Sequence, residues 1–241
     1  MQSEDPTISR YLNGDYAEKN PDWDSGDSGW KAANVARILS DHGLAPNDVV
    51  EVGCGSGAVL VALRHLMPEA NYFGYDIAPA AESFWAAPVA QGIRFELADF
   101  HATTRRKADA ILLLDVLEHV GNPWDFLTGL RDRADHLVLH FPLDLSVSSV
   151  LREKPLLHVR DKVGHLHFYT KGLVLALMEE CGYDVIEARF TGASLNSPNR
   201  GLKTKIMGLM RRAIFMLDRD FGARLLGGET LMVLARPRGG T

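Results

Sequence analysis

The chain has 241 residues, 46% of them hydrophobic, which is enough to bury one good core and favours one decorated domain over two. A formal net charge of -5 argues against a nucleic-acid partner gripped mainly through its phosphates. Two cysteines, Cys54 and Cys181, make no disulfide framework, the start is acidic without an apolar signal segment, and no apolar run approaches the roughly 20 residues of a membrane span; a soluble, cytoplasmic protein is expected.

Taken in chain order, strand and helix signals alternate. Ala32, Val35, Ala36 and Leu39 form an i, i+3, i+4, i+7 stripe that predicts a helix from Ser28 to His42, stopped by Gly43. A β-branched strand, Val49 to Gly53, precedes a helix carrying Val59, Ala62, Leu63 and Leu66 on one face. A second strand, Asn71 to Tyr75, ends in Asp76, and a helix is predicted over Ala78 to Ala87. Strands Ile93 to Leu97 and Ala110 to Leu114 follow, ending in Asp99 and Asp115. The run Ile111-Leu112-Leu113-Leu114 reads as a strand buried on both faces, which implies parallel order with helical crossovers. A helix through Phe126, Leu127 and Leu130 leads to a strand, His136 to Phe141, and Pro142 to Tyr169 reads as an insertion over the active face. A helix from Lys171 to Cys181, a strand from Tyr183 to Phe190 and a last strand from Thr230 to Ala235 complete the pattern. The connection between those last two strands is far longer than a hairpin needs.

The most informative segment is Glu51-Val52-Gly53-Cys54-Gly55-Ser56-Gly57, a glycine-rich turn between strand and helix. Such a turn lets backbone N–H groups approach a ligand with a helix N-terminus behind them, which suits an adenosine-containing cofactor. Gly53, Gly55 and Ala58 also satisfy the dinucleotide pattern G-x-G-x-x-[G/A], so a nicotinamide-dependent oxidoreductase is the rival reading.

Taken together, Glu51-x-Gly53-x-Gly55-x-Gly57, Asp76, Asp99-Phe100 and Leu114-Asp115-Val116-Leu117-Glu118-His119 resemble class I S-adenosylmethionine-dependent methyltransferases. Within that class the chain is most similar to the broad group that includes ubiquinone-pathway O-methyltransferases and polysaccharide-cluster enzymes. The resemblance implies a Rossmann-like, doubly wound α/β fold. Its mostly parallel seven-stranded sheet would have an antiparallel last strand, a helical N-terminal cap over residues 1–29, a core over 30–190, and insertions after strands 5 and 6. It places the methionine part of the cofactor on Gly53, Cys54, Gly55 and Gly57, with Glu51 orienting the turn or the ammonium. It also puts the ribose on Asp76 and the adenine against Asp99, Ile77 and Phe100. Asp115 borders both donor and acceptor. Helix capping by these acids is the plainer alternative.

Chemistry is expected above the carboxyl ends of the central strands. Asp115, Glu118 and His119 have the spacing to share a face if a helical turn follows the strand; for the base a hydroxyl acceptor needs, His140 and His119 are the best candidates and His165 a further one. Asp115, Glu118, His119 and His165 also resemble the ligand set of metal-dependent terminal 2'-O-methyltransferases of small RNAs, in which two carboxylates and two histidines hold a magnesium-type ion. Against a metal stand the Asp in place of the first Glu and the common occurrence of Leu-Glu-His without one.

Tyr11 to Trp30 reads as a lid or a packed cap, and Arg152 and Arg160 are available to an anionic acceptor group. The basic amphipathic stretch 202–217 suits a partner or an anionic membrane surface. The expected activity is O-directed methyl transfer to a small molecule or a glycan or lipid-linked acceptor, with a non-catalytic cofactor-binding module as the alternative.

Overall fold

The computed structural model describes residues 6–23, 25–103, 106–192 and 214–239. Its helices and strands, in order, are α1 (Pro6–Leu12), α2 (Asp15–Lys19), α3 (Ser28–Asp41), β1 (Asp48–Val52), α4 (Ala58–Leu66), β2 (Asn71–Asp76), α5 (Ala86–Ala90), β3 (Arg94–Leu97) and α6 (Phe100–Thr103). These are followed by β4 (Ala108–Leu114), α7 (Pro123–Thr128), β5 (Ala134–Leu143), α8 (Val147–Arg152), α9 (Lys154–Lys162), α10 (Lys171–Glu180), β6 (Tyr183–Phe190), α11 (Arg219–Leu226) and β7 (Glu229–Pro237). The basic stretch 202–217 lies almost wholly outside the described residues, so its expected surface role has no structural counterpart here. None of the described helices is long and apolar enough to cross a membrane.

The strands form one seven-stranded sheet in the order β3-β2-β1-β4-β5-β7-β6. From β1 the chain winds outward to β3 and then returns to β4 on the other side of β1, with parallel pairing throughout. That reversal makes the carboxyl ends of β1 and β4 the topological switch point, where the connections diverge and leave a crevice. β7 runs antiparallel between β5 and β6, as the expected antiparallel last strand.

Period-two alternation sorts the apolar side chains of the central strands between two cores. Ile111, Leu113, Leu137 and Leu139 pack on one face with Leu127, Val174 and Leu177 from the helices beyond. Leu112, Leu114 and Val138 face the other way, onto Ala32, Val35 and Ile38 of α3 and Leu60 and Leu63 of α4. The continuous run in β4 therefore reflects two buried faces, as read from the sequence.

Two expectations need correction. The single helix predicted over Ala78 to Ala87 is instead a 3₁₀ turn, Pro79–Phe84, followed by the short α5. Pro88 has no N–H to give to the Phe84 carbonyl, so the two pieces cannot join as one continuous helix, and α5 starts afresh with Pro88 in its first turn, where no such bond is needed. After β4 no helix forms either: Asp115 adopts a left-handed φ of 57°, and Val116 to His119 make a single turn closed by the His119 N–H on the Val116 carbonyl at 3.0 Å. The shared face expected of Asp115, Glu118 and His119 is not built, and Asp115 parts company with the other two.

Candidate active site

A cavity of about 1050 Å³ opens at the switch point, bordered by the glycine turn, the ends of β2, β3 and β4, β5, and the N-terminal helices. Small-molecule clefts commonly hold about 300–1,000 Å³, so this one has room for a donor and an acceptor together.

The turn after β1 is held from below, by Gly53 and Cys54 N–H groups that both donate to the Tyr75 carbonyl at 2.8 and 3.1 Å. Gly55 has φ of 49°, and a Cβ there would come within 2.9 Å of the Trp23 ring. Glycine is required at this point both for the backbone conformation and for the close approach of the cap. Cys54 buries its thiol under the turn, where burial pushes its pKa up, so this residue offers the cavity its backbone rather than a nucleophile.

Asp76, at the end of β2, accepts from the Gly55 N–H at 2.8 Å and from the Ala78 N–H at 2.9 Å. Burial raises its pKa against the pull of the donated N–H groups of Ala78, Gly55 and Ile77. It therefore ties the glycine turn to the next loop while lining the cavity. Asp99 is exposed and caps α6 through the His101 N–H at 2.8 Å, the capping role given as the plainer alternative. Ile77 and Phe100 both border the cavity; the Phe100 ring is a fixed part of the wall, set edge-on to Tyr75 at 4.9 Å with the Arg133 guanidinium over it.

Glu51 is 3% exposed, and its Oε2 has no hydrogen-bond partner. Burial lifts its pKa to about 8, opposed by the Lys31 ammonium and reinforced by Asp76. The folded chain thus keeps a proton that the unfolded chain releases near pH 4.5. The stability lost through this group accumulates as pH rises from about 4.5 to about 8 and is constant above that range. Urea titrations of Glu51→Gln should show a shallower fall in unfolding free energy between pH 5 and 8, by a few kcal/mol, than the parent; parallel pH curves would rule this out.

Asp115 brings together residues that lie far apart in sequence. One carboxylate oxygen accepts from His140 Nδ1 at 2.6 Å and the other lies 2.7 Å from Lys31 Nζ. Burial would raise the Asp115 pKa, but the charges of His140 and Lys31 and their hydrogen bonds outweigh it and hold the carboxyl well below the usual range. An ionised Asp115 fixes the proton on His140 Nδ1, leaving Nε2 as the basic nitrogen, 3.3 Å from the Thr191 hydroxyl. Trp30 closes on the His140 ring edge-on at 5.7 Å. The left-handed φ of Asp115 is what aims its carboxylate at these partners, an instance of backbone strain at a site.

Glu118, His119 and His165 form a second group on the same cavity wall, with one ligand atom from each lying within 4.8 Å of the others. Glu118 is fully buried and neither carboxylate oxygen has a hydrogen-bond partner; burial, then the charge of Asp115, drives its pKa well up. Burial and the nearby His165 push His119 down to about 4, so its ring is neutral near pH 7. Asp115, spoken for by Lys31 and His140, does not belong to this group.

Lys31 and Trp85 belong to the site but were not singled out in the sequence, whereas Trp23 lies in the run read there as a lid or cap. Lys31 shares a helical stripe with Asn34, Val35 and Ile38, and a charged residue on a core-facing stripe is the signal that could have found it. Trp85 donates its indole N–H to the Gly55 carbonyl at 2.8 Å and stacks on Phe95. The cap itself covers the cavity with Tyr11, Tyr16 and Trp23, and Arg10 and Lys19 pin it to α9 through Arg160 and Asp161. Arg152 and Arg160 are exposed and do not line the cavity, contrary to a role in holding an anionic acceptor group there.

A family profile described as "Methyltransferase domain" matches residues 29–188. Among solved structures, magnesium protoporphyrin IX methyltransferase from Synechocystis, crystallised with S-adenosylhomocysteine, is 18% identical, with a TM-score of 0.56 over 87% of this chain and 82% of that one. The N-methyltransferase NodS from Bradyrhizobium japonicum, also with S-adenosylhomocysteine, is 15% identical, with a TM-score of 0.53 over 85% and 84% of the two chains. Mitomycin 7-O-methyltransferase is 18% identical, with a TM-score of 0.59 over 88% of this chain and 53% of that one. At these identities the likeness shows a shared fold. No curated protein sequence matches.

Proposed function

The chain belongs to the methyltransferase-domain family and is an S-adenosylmethionine-dependent enzyme; from that premise we propose that it transfers the methyl group to a hydroxyl of a small-molecule or glycan-type acceptor, with His140 as the general base. The nicotinamide reading falls with the family membership. The observation that carries the oxygen preference is the chain Lys31–Asp115–His140, which presents a basic nitrogen at the switch point. A hydroxyl must lose its proton as it attacks, and a histidine held in one tautomer by an ionised carboxylate suits that work.

The residues fit the donor. The unpartnered Oε2 of Glu51 offers an acceptor to its ammonium, and the N–H groups of the glycine turn stand beside it. Asp76, Ile77, Asp99 and Phe100 border the stretch expected to take the ribose and adenine, the two oxygens of Asp76 keeping capacity beyond the N–H groups they already hold. When bound, S-adenosylmethionine supplies an electrophilic methyl group on a sulfonium for in-line displacement.

The chain's own part is alignment and proton removal. The switch-point cavity sets the acceptor beside the donor pocket, which supplies the proximity that displacement needs. His140 Nε2 takes the hydroxyl proton, and Asp115 and Lys31 hold the resulting charge pattern in place. The aromatic cap of Tyr11, Tyr16 and Trp23 limits water at the reacting atoms. We read the described residues 6–23 as a cap on a methyltransferase unit.

The test is acceptor identification. The protein would be incubated with a deuterated-methyl donor and a metabolite extract, and the mass-shifted product located and its methyl carbon assigned by NMR. A methyl on oxygen, formed by the parent and lost in His140→Ala, is expected. A methyl on nitrogen or carbon, or transfer unchanged in His140→Ala, would overturn the proposal. Donor-analogue binding without any product from the parent would instead favour a non-catalytic module.

A further inference from the structure

Glu118 is a costly residue to bury. It is fully enclosed, neither of its side-chain oxygens has a hydrogen-bond partner, and its backbone carbonyl is already committed to the Leu166 and His167 N–H groups. A carboxyl withdrawn from water with nothing to bond is strongly disfavoured unless something occupies the space in front of it. What faces it here is a pair of imidazoles. His119 brings its Nε2 to 4.0 Å from Glu118 Oε1, and the two rings stand edge-on with centroids 5.0 Å apart.

His165 is oriented from behind. Its Nδ1 lies 2.7 Å from Asp144 Oδ2, which leaves Nε2 as the free lone pair. A carboxylate holding the far nitrogen of a histidine is the arrangement that fixes tautomer and ring direction at metal centres. We propose that Glu118, His119 and His165 bind a divalent transition ion, such as Zn²⁺, Mn²⁺ or Fe²⁺, on the wall of the active-site cavity, with Asp144 as the outer carboxylate.

The donor set decides the class of ion. Magnesium-type ions want oxygen ligands, whereas two imidazoles and one carboxylate suit borderline metals and leave coordination positions open. The second carboxylate of the sequence pattern, Asp115, is engaged by Lys31 and His140, and its loss from the set moves the preference away from magnesium. Ligand atoms around such an ion lie about 3–3.5 Å apart for bonds of about 2.0–2.2 Å. Binding therefore draws the three groups, now within 4.8 Å, together by roughly an ångström.

The open positions face the cavity that also holds His140. An acceptor hydroxyl bound there would be acidified by the ion before His140 removes its proton, a role that rests on the oxygen-directed reading above. The ion site itself does not depend on that reading.

The test uses the untagged full chain, stripped by chelation and titrated with Co²⁺, with binding read by equilibrium dialysis and by visible d–d absorption. The parent is expected to take up one Co²⁺ per chain, and Glu118→Gln and His165→Ala to weaken it by more than about tenfold. Asp144→Asn, which leaves all three ligands in place, should weaken it by about 10–100-fold. Calorimetry with S-adenosylhomocysteine on each variant controls for folding. Because its expected contacts lie elsewhere in the cavity, its affinity should stay within about threefold of the parent's. If a variant loses donor-analogue binding as well, a Co²⁺-dependent rise of the parent's Tm, together with loss of the Co²⁺ d–d absorption when Zn²⁺ is added, decides the matter. Failure of the parent to bind Co²⁺ below about millimolar, or equal binding by the parent and all three variants, overturns the metal site while leaving the donor site untouched. Failure of S-adenosylhomocysteine to bind a Co²⁺-loaded parent would overturn the donor reading instead.

Discussion

His140→Ala should lower kcat by about 10²–10⁴-fold while leaving the affinity for S-adenosylhomocysteine within about threefold. The residue is 3% exposed at the acceptor side of the switch point, and its contacts are Asp115, Thr191 and Trp30 rather than the glycine turn. Losing it removes proton transfer without opening the donor pocket. Asp115→Asn is the sharper companion. An amide can turn its N–H₂ toward Nδ1 and so favour the tautomer with its proton on Nε2, which leaves the base unable to accept a proton at the nitrogen that needs it. Its kcat should fall nearly as far, and the acidic limb of the pH profile should change shape, an effect that mere loosening would not produce. Single-turnover methyl transfer measures both, and a His140→Ala enzyme within tenfold of the parent would remove His140 from the role of base.

The second large effect is expected at the donor end. Asp76→Ala should weaken S-adenosylhomocysteine binding by about 100-fold or more, equivalent to at least about 2.7 kcal/mol, and lower Tm. Two backbone donors, the N–H groups of Gly55 and Ala78, depend on this carboxylate, and each charge-assisted bond is worth about 1.5–3 kcal/mol. The alanine variant leaves both N–H groups unpaired and releases the glycine turn from the end of β2. Asp76→Asn keeps acceptor capacity on only one side-chain atom, so its loss should be intermediate. Calorimetry and thermal melts on the three proteins give the order directly. Affinity within threefold in the alanine variant would mean that the turn is held by the Tyr75 carbonyl alone.

Local order was legible in the sequence and distant pairing was not. The strand at Ile111 to Leu114 was recognisable because burial on two faces leaves an unbroken apolar run, and Gly53 to Gly57 because positive φ and close approach select glycine. The acids at the ends of β2, β3 and β4 could be located, since they follow their strands at once. What they touch could not be read. Asp76 takes one backbone N–H on each of its oxygens, Asp99 caps a helix, and Asp115 is paired with Lys31 and His140 through contacts that only the folded sheet creates. The spacing of Asp115, Glu118 and His119 predicts a common face only for helical dihedrals, and one left-handed residue sends the first carboxylate to a different neighbour from the other two. The helix read across Ala78 to Ala87 failed for a local reason that was in the sequence all along, namely Pro88.

The antiparallel strand between β5 and β6 has a consequence for biogenesis. β6 pairs with β7 and with no other described strand, so it has to wait, after being made, for a segment synthesised some forty residues later. Until β7 inserts, the outer edge of β5 is open and the Thr191 and Thr230 hydroxyls, whose close contact stands behind His140 Nε2, belong to unassembled chain. Completion of the sheet and completion of the base's surroundings are therefore one event. A nascent or clipped chain could hold the glycine turn and its acids in place, and so grip the donor, well before it can use it.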